Sequence, residues 1–391
     1  MKVKKLEISG VGGIRDILLM PHDRMNIICG PNGIGKTTLL ECIGHLFSVG
    51  NTNIIKRHVS VDQGLVKAAL SQAPTGIESA EFTVTAFEPN KEDHVGGKHE
   101  LSSQVIPLKT TRTFGYQPLQ AVSRDTEKPT HVLYGEARNG VSLADVKNWF
   151  VNRYLYSAHA GALRPAQLEN HKLAKTCFSK LNEDFKFVRV DAGTNEIMIH
   201  TPSGILYYEY LSSGFKSCLS ILFGIIKEIE FRFPDTTASA FKGIVLIDEL
   251  ELHLHPDWQS KIAGLLMDVF PEVQFFVTTH SPHIVQAAAP ETIIALERAG
   301  DGVAKRDLPK SVYGFNGWTI EEILEDVMGM ADTRTSVFRE TVNAFATALN
   351  AEDIGQAKEL YTSLDRMLHP MSATRKLLSF QLSALTGGQG D

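Results

Sequence analysis

An apolar run, Met25 to Cys29, ends in Gly30-Pro31-Asn32-Gly33-Ile34-Gly35-Lys36-Thr37, and helical spacing of Leu39, Leu40, Ile43 and Leu46 follows. This fills the pattern G-x-x-x-x-G-K-[ST] in the strand–loop–helix context that gives the pattern a mechanical meaning. Glycines let successive backbone N–H groups turn inward, and the helix N-terminus adds its dipole, so the loop is suited to phosphate oxygens. Lys36 is expected to reach the β- and γ-phosphates of a nucleotide, and Thr37 to offer its hydroxyl to Mg²⁺. Asn32, Gly33, Ile34, Gly35 and Thr38 complete the expected nucleotide-binding set. Such a loop demands an α/β fold. The chain agrees, with strand Ile244 to Ile247, helix Trp258 to Phe270 and strand Gln274 to Thr279 in alternation.

Two acids stand where that apolar strand ends. Asp248 is placed at a carboxyl strand edge, where ligands of open sheets bind, and suits a Mg²⁺-holding role. Glu249 beside it is the natural group to orient an attacking water. An isolated Asp-Glu pair would do no more than cap a strand end, but the glycine loop calls for an acidic partner. His280, in Thr278-Thr279-His280-Ser281-Pro282, follows the next strand directly. A histidine there is placed to hydrogen-bond a γ-phosphate.

The remaining composition bounds the partners. Hydrophobic residues make up 43% and charged residues 21% of the 391, ordinary for a globular protein. A formal charge of −6 argues against a uniformly basic nucleic-acid binder. Residues 141–190 nevertheless hold eight Lys or Arg against four Asp or Glu, leaving open a local DNA-binding or partner surface. The four cysteines show no CxxC pair and read as buried, reduced thiols. Apolar runs such as Leu219 to Ile226 fall short of the ~20 residues a membrane helix needs, and Met1-Lys2-Val3-Lys4-Lys5 does not open a signal peptide. The protein is expected to be cytoplasmic, with no membrane partner.

Along the chain, Val3, Leu6 and Ile8, then Gly10 to Gly13, then Ile14 to Met20 suggest an antiparallel hairpin. Phe82 to Phe87 reads as a strand, Pro89 to His99 as a surface loop, and Leu143 to Leu181 as helical with breaks near Gly161 and Pro165. Phe185 to Val190 and Glu196 to His200 flank a turn, and a strongly apolar helix spans Ser217 to Phe231. Beyond residue 319 the spacing becomes helical throughout: Ile320, Ile323, Leu324, Val327 and Met328, then Phe338, Val342, Phe345 and Leu349, then Ile354, Leu360, Leu364 and Leu368. Residues 319–369 carry ten acidic side chains against four basic ones.

Between the glycine loop and Asp248-Glu249 lies Leu211-Ser212-Ser213-Gly214. The order glycine loop, long insert, Leu-Ser-Ser-Gly, Val-Leu-Ile-Asp-Glu, Thr-Thr-His-Ser-Pro resembles ABC-class ATPases, and more narrowly their RecF, SMC and OLD branch. The likeness covers roughly residues 1–48 and 205–300. It implies an α/β P-loop NTPase of ABC/RecF type with an N-terminal antiparallel β subdomain, a helical insert and a C-terminal helical appendage. The ATPase domain would occupy residues 1–310, with the insert at about 50–205, and the helical region residues 311–386. The resemblance further implies a catalytic set of Glu249, His280 and Lys36, with ATP and Mg²⁺ as cofactors and Thr37 and Asp248 on the metal. Ser212, Ser213 and Gly214 would meet ATP held by another subunit, giving a homodimer or higher oligomer, and Glu251 to His255 would form the D-loop at that seam. Gln117 is the candidate Q-loop glutamine. Transporter-type signatures continue Gly-Gln, whereas Phe215-Lys216 follows Gly214 here, which leaves the role of Lys216 open.

No segment after Thr292 resembles the Toprim nuclease domain of full OLD proteins, and residues 50–200 hold no sustained heptads of SMC type. The chain is similar to Septu-type ATPases of two-component anti-phage systems. That likeness implies a regulatory ATPase whose C-terminal helices hold a separate effector, such as an HNH nuclease. A DNA-binding repair ATPase acting through residues 141–190, and a scaffold clamped by ATP without turnover, are the alternatives.

Overall fold

The structure of the protein, a computed structural model, describes residues 1–72, 76–112, 118–125, 128–309, 313–330 and 334–387. Its organising element is a six-stranded sheet in the spatial order Gly302–Lys305, Ile293–Ala299, Met25–Cys29, Gln274–Thr278, Ile244–Ile247, Val105–Leu108. Neighbours run parallel, except the hairpin strand Gly302–Lys305. Every residue of Met25–Cys29, Ile244–Ile247, Gln274–Thr278 and Val105–Leu108 is buried, so these strands read as near-continuous apolar runs. Leu108 pairs with Ile247, Ile247 with Val277, and Thr278 with Ile28. The segments that follow these strand ends therefore emerge together at one carboxyl edge of the sheet.

The N-terminal hairpin forms as its alternation predicts, Lys2–Val11 pairing with Ile14–Leu19. Two strands from the insert, Gly64–Gln72 and Gly76–Val84, extend it to a four-stranded antiparallel sheet. Gln274 ties that sheet to the central one: its amide donates to Val3 O at 2.9 Å and accepts from Val3 N at 2.7 Å. The insert thus supplies strands to both sheets as well as the helices Thr130–Asn139, Val146–Ser157 and Pro165–Leu181.

Helix Ser213–Arg232 is the spine of the larger core. Sixteen of its 20 residues are buried, and Phe223 stacks on Phe150 at 5.1 Å. A helix apolar on nearly all faces must be enclosed, and here residues 146–181 enclose it. Its buried acids are paired. Glu230 accepts from Arg153 Nε at 2.5 Å, Trp149 Nε1 at 3.1 Å and Asn170 Nδ2 at 3.3 Å. Burial pushes the Glu230 carboxyl upward against the pull of Arg153. Removing one partner strands the other charge in the interior, so Glu230→Ala should destabilise the protein by ~3–5 kcal/mol. The urea midpoint should fall with the slope unchanged; a shift below ~1 kcal/mol would show that Arg153 does not depend on Glu230.

The chain divides into two compact units, Met1–Met330 and Ala331–Asp391. The first runs past residue 310 because Phe315, Ile323, Val327 and Met328 are buried in the core around Ser213–Arg232. The second has helices Ser336–Asn350, Ile354–Met367 and Ala373–Gly387, with Phe338, Phe345, Ala348, Ala357, Leu364 and Leu378 between them. Thr335 and Asp353 cap the first two, accepting from Phe338 N at 3.4 Å and Gln356 N at 3.0 Å. No described helix is long and apolar enough to cross a membrane.

Candidate functional site

The glycine loop is held by close packing. Gly30 has φ +139°, and a Cβ there would lie 2.5 Å from Leu296 O, so no side chain fits. Gly35 (φ +104°) starts helix Lys36–His45, whose N-terminus has no side-chain cap and no acid in its first turn. Its free N–H groups and positive dipole end face the loop. Lys36 is 5% exposed, and among the described residues its ammonium donates only to the loop carbonyls Gly30 O (2.9 Å) and Pro31 O (3.0 Å). Burial pushes its pKa down, opposed by the carboxylates of Glu251, Glu249 and Asp248.

A chain of hydrogen bonds joins this loop to the next two strand ends. Thr37 Oγ1 donates to Asp248 Oδ1 at 3.2 Å. Thr278 Oγ1 donates to the same oxygen at 2.6 Å and accepts from Glu249 N at 2.7 Å. Glu249 has φ +49°, uncommon for a residue with a Cβ, and follows the buried Asp248 directly. Glu251 then receives Thr279 Oγ1 at 2.7 Å and His280 N at 2.6 Å. The backbone of the exposed His280 is therefore set by the segment after Glu249.

Arg112, four residues beyond strand Val105–Leu108, closes the group. Its Nη2 donates to Glu249 O at 2.6 Å. Burial lowers its pKa to about 10, against the pull of Asp248, Glu251 and Glu249.

Thr37 and Asp248 offer two hard oxygens of the kind Mg²⁺ selects. An open helix N-terminus and a lysine held only by carbonyls fit a polyphosphate. The residues present thus fit a nucleotide with its cation.

Ser212, Ser213 and Gly214 are not bonded into this group. Ser212 and Ser213 are exposed, and Ser212 caps its own helix, accepting from Phe215 N at 3.3 Å. A Cβ on Gly214 would meet His255 N at 3.3 Å and His253 O and Trp258 Cδ1 at 3.4 Å, so this helix start packs on the 253–258 segment. Ser217 Oγ reinforces the contact by donating to Leu252 O at 3.3 Å. The Phe215-Lys216 departure has a structural explanation. Phe215 is buried between Phe185 and Trp258, with centroids 4.9 and 5.6 Å away, and Lys216 Nζ bonds back to Glu209 O at 3.0 Å. Gln117 lies outside the described residues.

The sequence reading brought Lys36, Thr37, Asp248, Glu249 and His280 to one edge and missed Arg112 and Thr278. Thr278 was legible as a hydroxyl ending a buried strand; Arg112 had no signal while Val105–Leu108 went unrecognised.

Comparison with known proteins separates this site from a generic phosphate loop. A family profile described as "AAA domain" matches residues 5–102, and one described as "AAA domain, putative AbiEii toxin, Type IV TA system" matches 166–286. Septu protein PtuA of Bacillus thuringiensis is 44% identical over 386 residues, spanning 97% of this chain and 98% of that protein. The chain belongs to the Septu PtuA family. The retron Ec83 probable ATPase of Escherichia coli is 31% identical over 176 residues, 44% of this chain and 31% of that one. An SMC head domain from Thermotoga maritima aligns with 79% of this chain and all of that one, at 15% identity and TM-score 0.48. The AAA profiles and the ATPase relative place this Septu-family chain among the P-loop ATPases, a class that binds nucleotide.

Proposed function

We propose that this chain binds ATP with Mg²⁺ and hydrolyses it between subunits, as the regulatory ATPase of a bacterial anti-phage complex whose effector nuclease is a separate protein. The observation that carries the ATPase half is the bonded path Thr37–Asp248–Thr278–Glu249 beside the buried Lys36. In this reading the backbone of Asn32 to Thr38 cradles the phosphates and Lys36 reaches the terminal ones. Thr37 and Asp248 hold Mg²⁺, which would neutralise charge on the phosphate oxygens. Glu249 orients and deprotonates the water, and His280 bonds the terminal phosphate. Exposed Ser212 and Ser213, with the buried Gly214 beside them, complete the site of the partner protomer. The defence half is supported by membership of the Septu family and by the retron relative.

An effector of HNH type would be held by the three C-terminal helices, where Met371, Leu377 and Phe380 are exposed. Direct DNA binding through residues 141–190 has less support, because Lys147, Arg153, Arg164, Lys172 and Lys180 all enter ion pairs with acids of this chain.

The test is nucleotide affinity. Lys36→Ala removes a charge-assisted donor to phosphate and should weaken ATP binding ~10–100-fold in a calorimetric titration. Unchanged affinity would remove the glycine loop from the proposal.

A further inference from the structure

Two other guanidinium groups with almost no exposure, those of Arg232 and Arg153, are bonded on several sides. Arg232 bonds Val105 O at 2.6 Å, Ser102 O at 3.2 Å, Glu136 Oε2 at 2.6 Å and Glu228 Oε2 at 3.4 Å. Arg153 is paired with Glu230, Asp125 and Asn152. Arg112 is different. It is 4% exposed, yet among the described residues only Nη2 is engaged, and by a single carbonyl, while buried Nε and Nη1 have no hydrogen-bond partner there. Leaving buried donors of a charged group unmade is costly, and a native structure keeps such a group where a ligand or an ordered water completes it.

The position says which ligand. Arg112 follows the strand paired with Ile244–Ile247 and touches the main chain of Glu249, at the sheet edge that also carries Lys36. Both cations feel Asp248, Glu249 and Glu251, so both lie near one carboxylate cluster. A nucleoside triphosphate bound at Lys36 would bring its terminal phosphate towards three carboxylates. Bringing like charges together in a partly buried site is unfavourable unless a cation stands between them. A planar guanidinium offers its unused N–H groups to phosphate oxygens in fixed directions, which the rotating ammonium of a lysine does not.

We propose that Arg112 is a binding residue for the terminal phosphate of a nucleoside triphosphate, donating through N–H groups that the Glu249 carbonyl leaves unused while Nη2 keeps its bond to that carbonyl. The inference rests on the nucleotide-binding reading of the Lys36 site. In it, Arg112 distinguishes triphosphate from diphosphate and joins that distinction to the backbone of the residue assigned to water. Lys36 and the helix N-terminus provide the affinity common to both nucleotides.

The experiment is a calorimetric titration of the full chain with AMP-PNP and with ADP, each with Mg²⁺, for wild type, Arg112→Met, Arg112→Lys and Lys36→Ala. Arg112→Met should weaken AMP-PNP ~10–100-fold and leave ADP within ~3-fold, with Arg112→Lys intermediate. Lys36→Ala should weaken both. A misfolded fraction lowers the binding stoichiometry rather than the ratio of the two affinities, so a partly unfolded variant still answers the question. If wild type binds both nucleotides and Arg112→Met loses neither, or loses both equally, Arg112 is only a brace on the Glu249 backbone and the inference is overturned. If wild type binds neither nucleotide, the underlying reading of the site falls with it.

Discussion

Glu249→Gln should lower ATP turnover by ~10²–10⁴-fold and leave ATP affinity within ~3-fold of wild type. Glutamine keeps the size and the polar carbonyl of the side chain and removes its capacity to take a proton. Nothing in the local fold should change, because Glu249 is positioned through its main chain. Its N–H donates to Thr278 Oγ1, its carbonyl accepts from Arg112, and its φ of +49° is set by the turn between Asp248 and Leu250. Its carboxylate has no part in these bonds. The effect should therefore fall on kcat with KM little moved, the signature of an interaction made in the transition state. Phosphate release under saturating ATP measures it. A wild type no faster than the variant would mean that ATP is a structural clamp and that the chain is not an enzyme.

Ser212→Arg should abolish turnover while a single protomer still binds ATP. Ser212 is exposed at the N-terminus of Ser213–Arg232, and its recorded side-chain bond is the cap to Phe215 N. Losing that cap costs ~1 kcal/mol, a small amount beside the burial of a 20-residue helix. The arginine would project from a helix start that is seated firmly on the 253–258 segment by Gly214, Phe215 and Ser217. On the proposed shared site, a long cation there would block the approach of a second subunit, while Ser212 has no bond to Lys36, Thr37 or Asp248 among the described residues. Turnover should drop to background, below ~1% of wild type, with ATP affinity unchanged. Loss of ATP binding by the monomeric variant would show instead that Ser212 acts within its own chain.

The strands most easily read were those buried on both faces and closed by a motif. Met25–Cys29 and Ile244–Ile247 have the bounds their apolar runs suggested, because the glycine loop and the acidic pair mark their ends. Helix Lys36–His45 starts earlier than its apolar spacing showed, since Gly35 in a left-handed conformation lets the helix begin inside the loop. Val105–Leu108 went unread because Pro107 sits inside it. Proline is tolerated there because this is the edge strand of the sheet, where one side needs no ladder donor. Missing that strand also hid Arg112. Gly64–Gln72 was obscured differently: its inward positions alternate as Val66, Ala68 and Leu70, and alanine gives a weak apolar signal. The signature segment was legible as a class marker, whereas the burial of Phe215 and the return bond of Lys216 to Glu209 needed three-dimensional contacts.

The central claim is that nucleotide is hydrolysed between two protomers, and mixing two inactive variants tests it most directly. Ser212→Arg protein keeps an intact Lys36 loop, and Lys36→Ala protein keeps an intact Ser212 helix start. In a mixed dimer one composite site would have both wild-type halves, and the other would have neither. With free subunit exchange at equal concentrations, about half of the dimers are mixed, so turnover should recover to about a quarter of the wild-type rate. Turnover that stays at the background of the separate variants, once exchange has been verified, would contradict a site shared between subunits.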